Sequence, residues 1–329
     1  MKHFYDICDE REDISSGDRP LEFVFFLCPG FSLLDLAGAI EPLAITNRLA
    51  GVARYKWRVL SEDGSDVKCT NGISYPTDGT IYDAAPFDRI FMCAFEDVEA
   101  DNALKIINWL RRRARTGTHF GALGTGAMLL VRAGVVGKRD FTLHWSVQNS
   151  FSEMYPNHKP ISQIYTLEDR LITCAGGQSV SDMMLSLIVT EQGRDIAAKV
   201  ADYMIGGSPR SSDTPQRLNL ADRYGTRNDR FLAIVNTLEA DDTCELTIDD
   251  LVRQHSISRR QLERLIKRYG GTSPARFVKQ MRLEKARELL EKTTMSVLEV
   301  TVACGFGSVA NFSKSFSARY NCRPSAFRK

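Results

Sequence analysis

The stretch GALGTGAMLL, residues 121–130, has the pattern of a bend that carries a catalytic nucleophile in many enzymes. An apolar run ends there, Gly124-Thr125-Gly126 provide a sharp turn, and Ala127 begins a helix-forming run. Such bends hold the side chain at their apex exposed at the edge of a sheet. Here the apex is Gly124, which cannot supply the thiolate or hydroxyl that attacks a substrate. Thr125 follows the apex, so it is poorly placed to act instead.

Cysteine usage offers no clear replacement for the nucleophile. The eight cysteines are scattered without a C-x-x-C pair, and several lie in apolar runs where a free thiol packs as a small hydrophobe. This usage is typical of a reducing cytosol and argues against a disulfide framework or a zinc site. Cys93 is the only thiol that we expect near the strand ends, and its apolar neighbours favour packing. We predict no catalytic residue, no metal and no cofactor.

The elements that position the bend alternate between strands and helices. An apolar run at 21–27 is typical of a buried strand, a helix follows over about 34–49, and a strand at 118–124 leads into the bend. This alternation predicts an α/β domain with a mostly parallel sheet sandwiched by helices. Ligands bind at the carboxyl ends of the strands in such sheets, where this bend lies. Further strands are expected at 56–61, 88–95 and 170–177, and further helices at 100–115 and 179–191.

Charge divides the chain into two parts. Residues 245–329 carry 17 Lys and Arg against 8 Asp and Glu, whereas residues 1–244 carry 26 against 33. A basic block on an acidic body indicates a polyanion-binding module beside a regulatory or catalytic domain, although a solvated helical face would also explain it. Residues 206–228 have the Gly, Ser, Pro and charge content of a linker. We therefore predict a leader over 1–20, a domain over 21–205, this linker, and an all-α domain over 229–329.

Residues 247–270 of the basic block fit a helix-turn-helix. A first helix around Leu251 is followed by a turn at 255–257, and Ser258 is a good N-cap for a second helix. On a helical wheel the second helix has one apolar side and one side of long hydrogen-bond donors. Such donors read base edges or bind phosphates in the major groove. We assign DNA contact to Arg259, Arg260, Gln261, Arg264, Lys267 and Arg268.

A second helix-turn-helix follows about fifty residues later. A helix over 297–303, a turn at 305–307 and an N-cap at Ser308 precede a helix whose apolar side is Val309, Phe312, Phe316 and Tyr320. The helix predicted over 274–292 is about 27 Å long, close to one turn of B-DNA at ~34 Å. It could place two reading helices in successive major grooves of one DNA face. In the second unit we assign DNA contact to Ser308, Asn311 and Lys314.

Two known domain types share stretches with this sequence. SRRQLERLIKRYGGTSPARFVKQMRLEKARELL and ACGFGSVANFSKSFSARYNCRPSAFR, with Phe312, Phe316 and Pro324, resemble the AraC/XylS-type DNA-binding domain. PGFSLLDLAGAIEPL, GALGTGAMLLVRAGVVGKRDFTLHW and AGGQSVSDMMLSLIVTEQG are similar to the PfpI-like, class I glutamine amidotransferase-like domain. That domain precedes AraC-type modules in the GlxA-like group of bacterial regulators.

The resemblance bears directly on the bend. Catalytic relatives have a Cys at its apex and a His about twenty residues later, and here these positions are Gly124 and His144. This implies a ligand pocket that has kept its shape without its nucleophile. Two alternatives stay open, because His144 and Trp145 could be structural and Glu41 could be a surface carboxylate. We assign ligand binding to Glu41, Gly124, Thr125, His144 and Trp145.

The resemblance also implies a function. We expect a transcriptional regulator, most simply an activator, that binds double-stranded DNA, recruits RNA polymerase and forms a homodimer in the bacterial cytosol at the nucleoid, away from membranes. Its expected effector is a small nitrogen-containing metabolite such as an amino acid or a betaine- or carnitine-like compound. Two alternatives are a hydrolase- or amidotransferase-like enzyme with an accessory DNA-binding tail, and a ligand-independent architectural protein.

Overall fold

The computed structural model describes residues 19–82, 86–95, 100–217, 219–241 and 243–327, so the predicted leader lies outside it except for Arg19 and Pro20. The chain divides into two compact units. The N-terminal unit comprises Met1–Trp145 and His158–Gln216, and the C-terminal unit comprises Ser146–Asn157 and Arg217–Lys329. The chain passes from the N-terminal unit to the C-terminal unit after Gln216, a position inside the predicted linker, 206–228. Ser146–Asn157, which the predicted 21–205 domain included, group instead with the C-terminal unit.

A six-stranded sheet forms the centre of the N-terminal unit. Its strands are β1 (Leu21–Leu27), β2 (Tyr55–Leu60), β5 (Arg89–Ala94), β6 (His119–Gly124), β7 (Tyr165–Glu168) and β8 (Leu171–Cys174), and β3 (Val67–Lys68) and β4 (Ser74–Tyr75) form a separate hairpin. The order is β2-β1-β5-β6-β8-β7, and all pairs are parallel except β7 with β8. The predicted mostly parallel sheet is confirmed, whereas the sequence did not indicate β3, β4 or β7.

Helices cover both faces of this sheet. Phe23 and Phe25 of β1 and Phe91 of β5 share one core cluster with residues of the helices Leu33–Ala50, Ser179–Gln192 and Arg194–Tyr203. Val24 and Phe26 point to the opposite face, because side chains alternate along a strand, and they are also at most 1% exposed. Burial on both faces is what a parallel sheet requires. The helices as far as Tyr203 are α1 (Leu33–Ala50), α2 (Ala100–Ala114), α3 (Ala127–Arg132), α4 (Gln148–Met154, in the C-terminal unit), α5 (Ser179–Gln192) and α6 (Arg194–Tyr203).

The described residues from 217 onward contain helices and no strands. The helices are α7 (Leu220–Tyr224), α8 (Asp229–Glu239), α9 (Ile248–Gln254), α10 (Arg259–Tyr269), α11 (Pro274–Lys292), α12 (Val297–Ala303), α13 (Val309–Tyr320) and α14 (Pro324–Phe327). The pairs α9/α10 and α12/α13 are the two predicted helix-turn-helix units, and α11 has the bounds predicted for the helix between them. The all-α character of this region is therefore confirmed.

Each helix-turn-helix has a core of its own. The first packs around Phe231, Leu262 and Ile266, which are fully buried, and the second packs around Phe312 and Phe316. Val309 was predicted to join the second core but is 37% exposed. It is the first residue of α13, where the turn preceding the helix does not cover it.

Helix α4 accounts for the unpredicted membership of Ser146–Asn157. The backbone N–H of Ser150 and the side-chain amide of Asn149 each donate to the carboxylate of Glu288 on α11, over 3.4 Å. Phe151 is fully buried and its ring lies 5.0 Å from that of Tyr155. These contacts join residues far apart in sequence, so a reading of the sequence by linear segments could not assign this helix to the basic region.

Candidate ligand site and DNA-binding surface

The bend after β6 leaves no room for a side chain at its apex. Gly124 has φ +64°, and a Cβ atom on it would lie 2.4 Å from the backbone oxygen of Ala94 at the end of β5. The same oxygen accepts a 2.9 Å hydrogen bond from the N–H of Thr125, whose side chain is buried. A Cβ on Gly126 would also collide with a backbone oxygen, that of Met92, at 2.0 Å. The backbone of β5 therefore occupies the space that a side chain at position 124 would need.

A buried carboxylate, that of Asp35 in the first turn of α1, lies beside this bend. It is 3% exposed, and its Oδ1 atom accepts hydrogen bonds of 2.8 Å from the hydroxyl of Ser32 and from the N–H of Gly177. Its Oδ2 atom faces two glycines, since Cβ atoms on Gly124 and Gly176 would lie 3.3 and 2.7 Å from it. In the described part of the chain Oδ2 has no hydrogen-bond partner. An unused acceptor on a buried carboxylate is an attachment point for a hydrogen-bond donor.

Burial also shifts the ionisation of Asp35. Loss of solvent raises the pKa of this carboxyl above its usual value, and the hydrogen bonds from Gly177 and Ser32 only partly oppose that change. A buried carboxyl with an empty acceptor position is costly to ionise unless a positive charge or a strong donor approaches it. A cationic donor at Oδ2 would therefore stabilise the ionised form.

Asp35, and not Glu41, is the acidic residue that the structure brings to the bend. Glu41 lies further along α1 with its side chain exposed. The sequence concealed Asp35 because Ser32 and Asp35 have the S-x-x-D spacing of a helix cap, and Ser32 does cap α1 by accepting from the N–H of Asp35 at 3.2 Å. Its second contact, with Gly177, connects positions 142 residues apart. Only the fold reveals that contact.

An aromatic group lies past the end of β5. The ring of His144 lies 5.5 Å from that of Trp145 and 6.1 Å from that of Phe95, the residue after Ala94. Phe95 and Trp145 are 44% and 43% exposed, so Trp145 is not a core residue. Exposed aromatic faces can bind a cation. The sequence indicated His144 and Trp145, whereas Phe95 gave no signal because it appeared to continue the strand.

Three thiols, and not one, lie at the strand ends. Cys93 is joined by Cys28, directly after β1, and by Cys174, the last residue of β8, so the prediction that Cys93 is alone there was wrong. All three are at most 1% exposed. Burial raises the pKa of Cys93 well above its usual value and raises that of Cys174 to about 12. These two thiols are therefore protonated at neutral pH and poor nucleophiles.

The described residues contain neither a membrane-spanning helix nor a cluster of metal-binding side chains. None of their helices has the length and apolar character needed to span a bilayer. Nor do they bring three or more His, Cys, Asp or Glu side chains together in a way that could hold a metal ion.

The first reading helix, α10, presents the predicted basic side. Ser258 caps it in a reciprocal capping box, in which the Oε1 atom of Gln261 accepts from the N–H of Ser258 at 2.8 Å. Leu262 and Ile266 are fully buried, and the side chains assigned to DNA are exposed. Arg260, Arg264 and Lys267 lie along one side of the helix at a spacing of four and three residues. Arg259 is engaged elsewhere, in an ion pair of 2.6 Å with Asp249 on α9.

The second reading helix, α13, is also capped as predicted. The hydroxyl of Ser308 accepts from the N–H of Asn311 at 3.3 Å. Asn311 and Lys314 are exposed, whereas Phe312 and Phe316 on the other side are fully buried. This helix offers fewer long cationic donors than α10 does. Whether the residues of either helix bind DNA stays a prediction.

Comparison with known proteins identifies the two units. The DJ-1/PfpI family matches residues 23–190, and a helix-turn-helix domain matches residues 251–329. The HTH-type transcriptional regulator CdhR of Pseudomonas aeruginosa is 37% identical over 93% of this chain and 91% of its own length. The chain belongs to the AraC-type regulators that carry a DJ-1/PfpI domain. The resemblance to GlxA-like regulators is thus confirmed.

Other relatives agree with this membership. The HTH-type transcriptional regulator GbdR of Pseudomonas aeruginosa is 33% identical, with 93% of this chain and 83% of the relative covered. The HTH-type transcriptional regulator GlxA of Rhizobium meliloti is 30% identical, with 96% and 98% covered. A crystal structure of an AraC family transcriptional regulator from Pseudomonas putida shares the fold at a TM-score of 0.51 and 23% identity, over 56% of this chain and all of that one. The family thus carries an AraC-type DNA-binding domain behind a DJ-1/PfpI domain.

Proposed function

We propose that this protein is a sequence-specific transcriptional regulator whose DJ-1/PfpI domain binds a small cationic nitrogen metabolite without catalysing its conversion. The observation that carries the proposal is the Oδ2 atom of Asp35, which belongs to a side chain that is 3% exposed, faces Gly124 and Gly176, and has no hydrogen-bond partner among the described residues. In catalytic relatives the corresponding bend carries a nucleophile, and here it carries a carboxylate neighbour and no side chain. A site that presents a carboxylate and lacks a nucleophile is suited to binding a ligand without converting it.

The chemistry of Oδ2 favours one ligand class. A primary ammonium or guanidinium group brings both a positive charge and an N–H, and so satisfies the carboxylate electrostatically and by a charge-assisted hydrogen bond. A quaternary ammonium group brings only the charge, and would depend more on the aromatic faces of Phe95 and Trp145. Amino acids and polyamines are therefore our first candidates, ahead of betaine- and carnitine-like compounds.

A non-enzymatic role is supported by the same geometry. A Cβ atom at position 124 would collide with the oxygen of Ala94, and the thiols of Cys93 and Cys174 are buried and protonated. Neither the bend nor these cysteines offers a group that could form an acyl intermediate. Turnover of an ester or amide that is lost on His144→Ala substitution would favour the enzyme alternative instead.

Regulation requires that the ligand prefer one arrangement of the protein. A metabolite with equal affinity for the active and inactive arrangements would shift nothing. We propose that the bound form presents the two reading helices to a promoter and assists RNA polymerase, as an activator. We further propose that the protein acts as a homodimer in the bacterial cytosol, at the nucleoid.

The test is a thermal-shift screen of the full-length protein against amino acids, polyamines, betaine and carnitine. A true ligand at a hundred times its dissociation constant should add about 2.7 kcal/mol of stability. Asp35→Asn should abolish the shift, because the amide keeps the shape of the side chain and loses its charge. Glu41→Gln, an exposed control on the same helix, should leave it intact. A ligand that stabilises the Asp35→Asn protein equally would overturn the assignment of the site.

A further inference from the structure

Helix α11 is shared by the two helix-turn-helix cores. Phe277 and Val278 in its first half belong to the core of the first unit. Leu283, at its midpoint, and Leu289, in its second half, belong to the core of the second unit. A single helix thus carries both units, and the residues between these two sets determine how firmly one unit is held relative to the other.

Arg282 lies between the two sets and contacts both units. Its Nη1 atom donates to the backbone oxygen of Gly305 at 3.0 Å, and its Nη2 atom donates to that of Leu246 at 3.1 Å. Gly305 belongs to the turn between α12 and α13, and Leu246 directly precedes Thr247, the N-cap of α9. The planar guanidinium fork is a rigid donor pair. Arg282 therefore links the segment that precedes α9 in the first helix-turn-helix to the turn between α12 and α13 in the second.

The backbone makes a second contact at the same place. Gly305 has φ +65°, and a Cβ atom on it would lie 2.2 Å from the backbone oxygen of Cys244. The turn of the second unit therefore presses directly on the segment that leads into the first. Beside it is a cleft of about 440 Å³ whose lining includes Lys279, Arg282 and Asn311. Arg282 therefore donates side-chain hydrogen bonds to both helix-turn-helix units beside a direct backbone contact between them.

We propose that Arg282 is a positioning residue that fixes the spacing between the two half-sites that this protein accepts on DNA. Reading helices placed in successive major grooves must match a repeat of about 34 Å and 10.5 base pairs. One added base pair moves the second half-site by about 3.4 Å and rotates it by about 35°. If Arg282 holds the two helix-turn-helix units in a fixed relative position, they cannot bind both half-sites after this displacement. Units without that restraint can. The proposal rests on the DNA-binding function proposed above.

A direct phosphate contact by Arg282 predicts a different pattern. Loss of a phosphate contact weakens binding equally at every spacing and makes the dependence of affinity on salt less steep, by about one counterion. Loss of a positioning contact changes the ratio of affinities between spacings and leaves the salt dependence unchanged. The two roles can therefore be separated in one set of titrations.

The experiment begins with a duplex selected from random DNA by the full-length protein and footprinted to locate its two half-sites. Duplexes with one base pair added or removed between the half-sites are then titrated with wild-type protein, Arg282→Ala and Arg276→Ala. Arg276 is an exposed arginine on the same helix and controls for loss of charge. We expect the preference of the wild type for the selected spacing to fall at least about fivefold in Arg282→Ala, the equivalent of one lost hydrogen bond or more. It should persist in Arg276→Ala.

Arg282→Lys keeps the charge and the aliphatic stem but not the guanidinium fork. It replaces the alanine variant in this test if that variant does not fold, and it too should reduce the preference for the selected spacing. An unchanged preference in a folded Arg282 variant would overturn the proposal, as would uniform weakening with a shallower salt dependence. A wild-type protein that binds all spacings equally would also overturn it. A wild-type protein that selects no DNA at all would instead contradict the proposed function, which keeps the two failures distinguishable.

Discussion

The side-chain amide of Gln216 donates from Nε2 to the backbone oxygen of Leu143, over 3.0 Å. The same nitrogen lies 2.9 Å from the hydroxyl of Thr142 and 2.7 Å from the oxygen of Gln163. The chain leaves the N-terminal unit after Trp145 and again after Gln216. The amide of Gln216 therefore connects the two segments at which the chain leaves this unit, close to His144. Within the described residues its Oε1 atom is buried without a hydrogen-bond partner, and the cost of that burial offsets part of the stabilisation from the three contacts of Nε2.

Replacing Gln216 by Ala should loosen this connection. The oxygens of Thr142, Leu143 and Gln163 lose the two N–H groups that they share, so the N-terminal unit should lose about 1–3 kcal/mol of stability, and protease should cleave residues 206–216 faster. All three tryptophans lie in the N-terminal unit, so their fluorescence follows its unfolding in the full-length protein. Gln178→Ala, at an exposed position, is the control. Equal cleavage rates for the two variants would show that Gln216 does not fasten the chain.

Replacing Asp35 by Asn should stabilise the ligand-free N-terminal unit at neutral pH. The pKa of Asp35 is higher in the folded protein than in the unfolded chain, so protonation of this carboxyl favours folding. The resulting gain in the free energy of unfolding is complete only below the unfolded pKa of about 4. That contribution is lost as the pH rises through the raised folded value. The two proteins should therefore differ most at pH 7 and converge towards pH 4 in tryptophan-monitored melts. Glu41→Gln should show no such trend, and a less stable Asp35→Asn protein at pH 7 would contradict the argument.

A side chain at position 124 should be costly for two separable reasons. Gly124 and Gly137 have φ of +64° and +63°, but a Cβ atom meets the oxygen of Ala94 at 2.4 Å in the first case and nothing within 4 Å in the second. Gly137→Ala should therefore cost about 1–2 kcal/mol, for the backbone conformation alone. Gly124→Ala should cost about 1–3 kcal/mol more, for the collision. We expect no esterase or amidase turnover from Gly124→Cys, and activity in that variant would show that the bend can still accommodate a nucleophile.

The sequence predicted those parts of the molecule that depend on local patterns. The start of α11 and the capped starts of α10 and α13 follow from Pro274, Ser258 and Ser308, whose effects act within one turn. The parallel sheet follows from alternation of elements. Asp35 and Phe95 were missed because their functional neighbours are distant in sequence.

The predicted linker shows the same limit. Its composition is that of a free chain, but Arg210 pairs with Asp182 at 2.7 Å, and the oxygen of Ser212 accepts from the N–H of Ile164 at 3.0 Å. Asp182, in the first turn of α5, thus holds this segment against the domain. Polar residues that suit a solvated linker also suit one that is bound by hydrogen bonds, and composition does not distinguish the two.

Replacing Arg264 by Ala should weaken specific DNA binding by about 1–3 kcal/mol and relax base preference at one position. The residue is exposed on α10, between Arg260 and Lys267 on the side opposite the buried Leu262. The measurement is an anisotropy titration with the selected duplex and single-base variants of it. Arg115→Ala, which removes an exposed arginine of the N-terminal unit, is the charge control. Uniform weakening across all sequences would show that Arg264 contacts phosphate.

Asp249 should restrain DNA binding, because it holds Arg259 in an ion pair of 2.6 Å. The two side chains are 59% and 72% exposed, so the pair contributes little to stability, and Asp249→Asn should leave the melting temperature nearly unchanged. Freed from this partner, Arg259 should increase the affinity for DNA about two- to fivefold, the range of an exposed pair's coupling energy. Asp249→Asn also removes simple repulsion of DNA, which a double-mutant cycle separates. In an Arg259→Ala background only the repulsion remains, so a gain in affinity as large as that in the wild-type background would mean that the ion pair has no role.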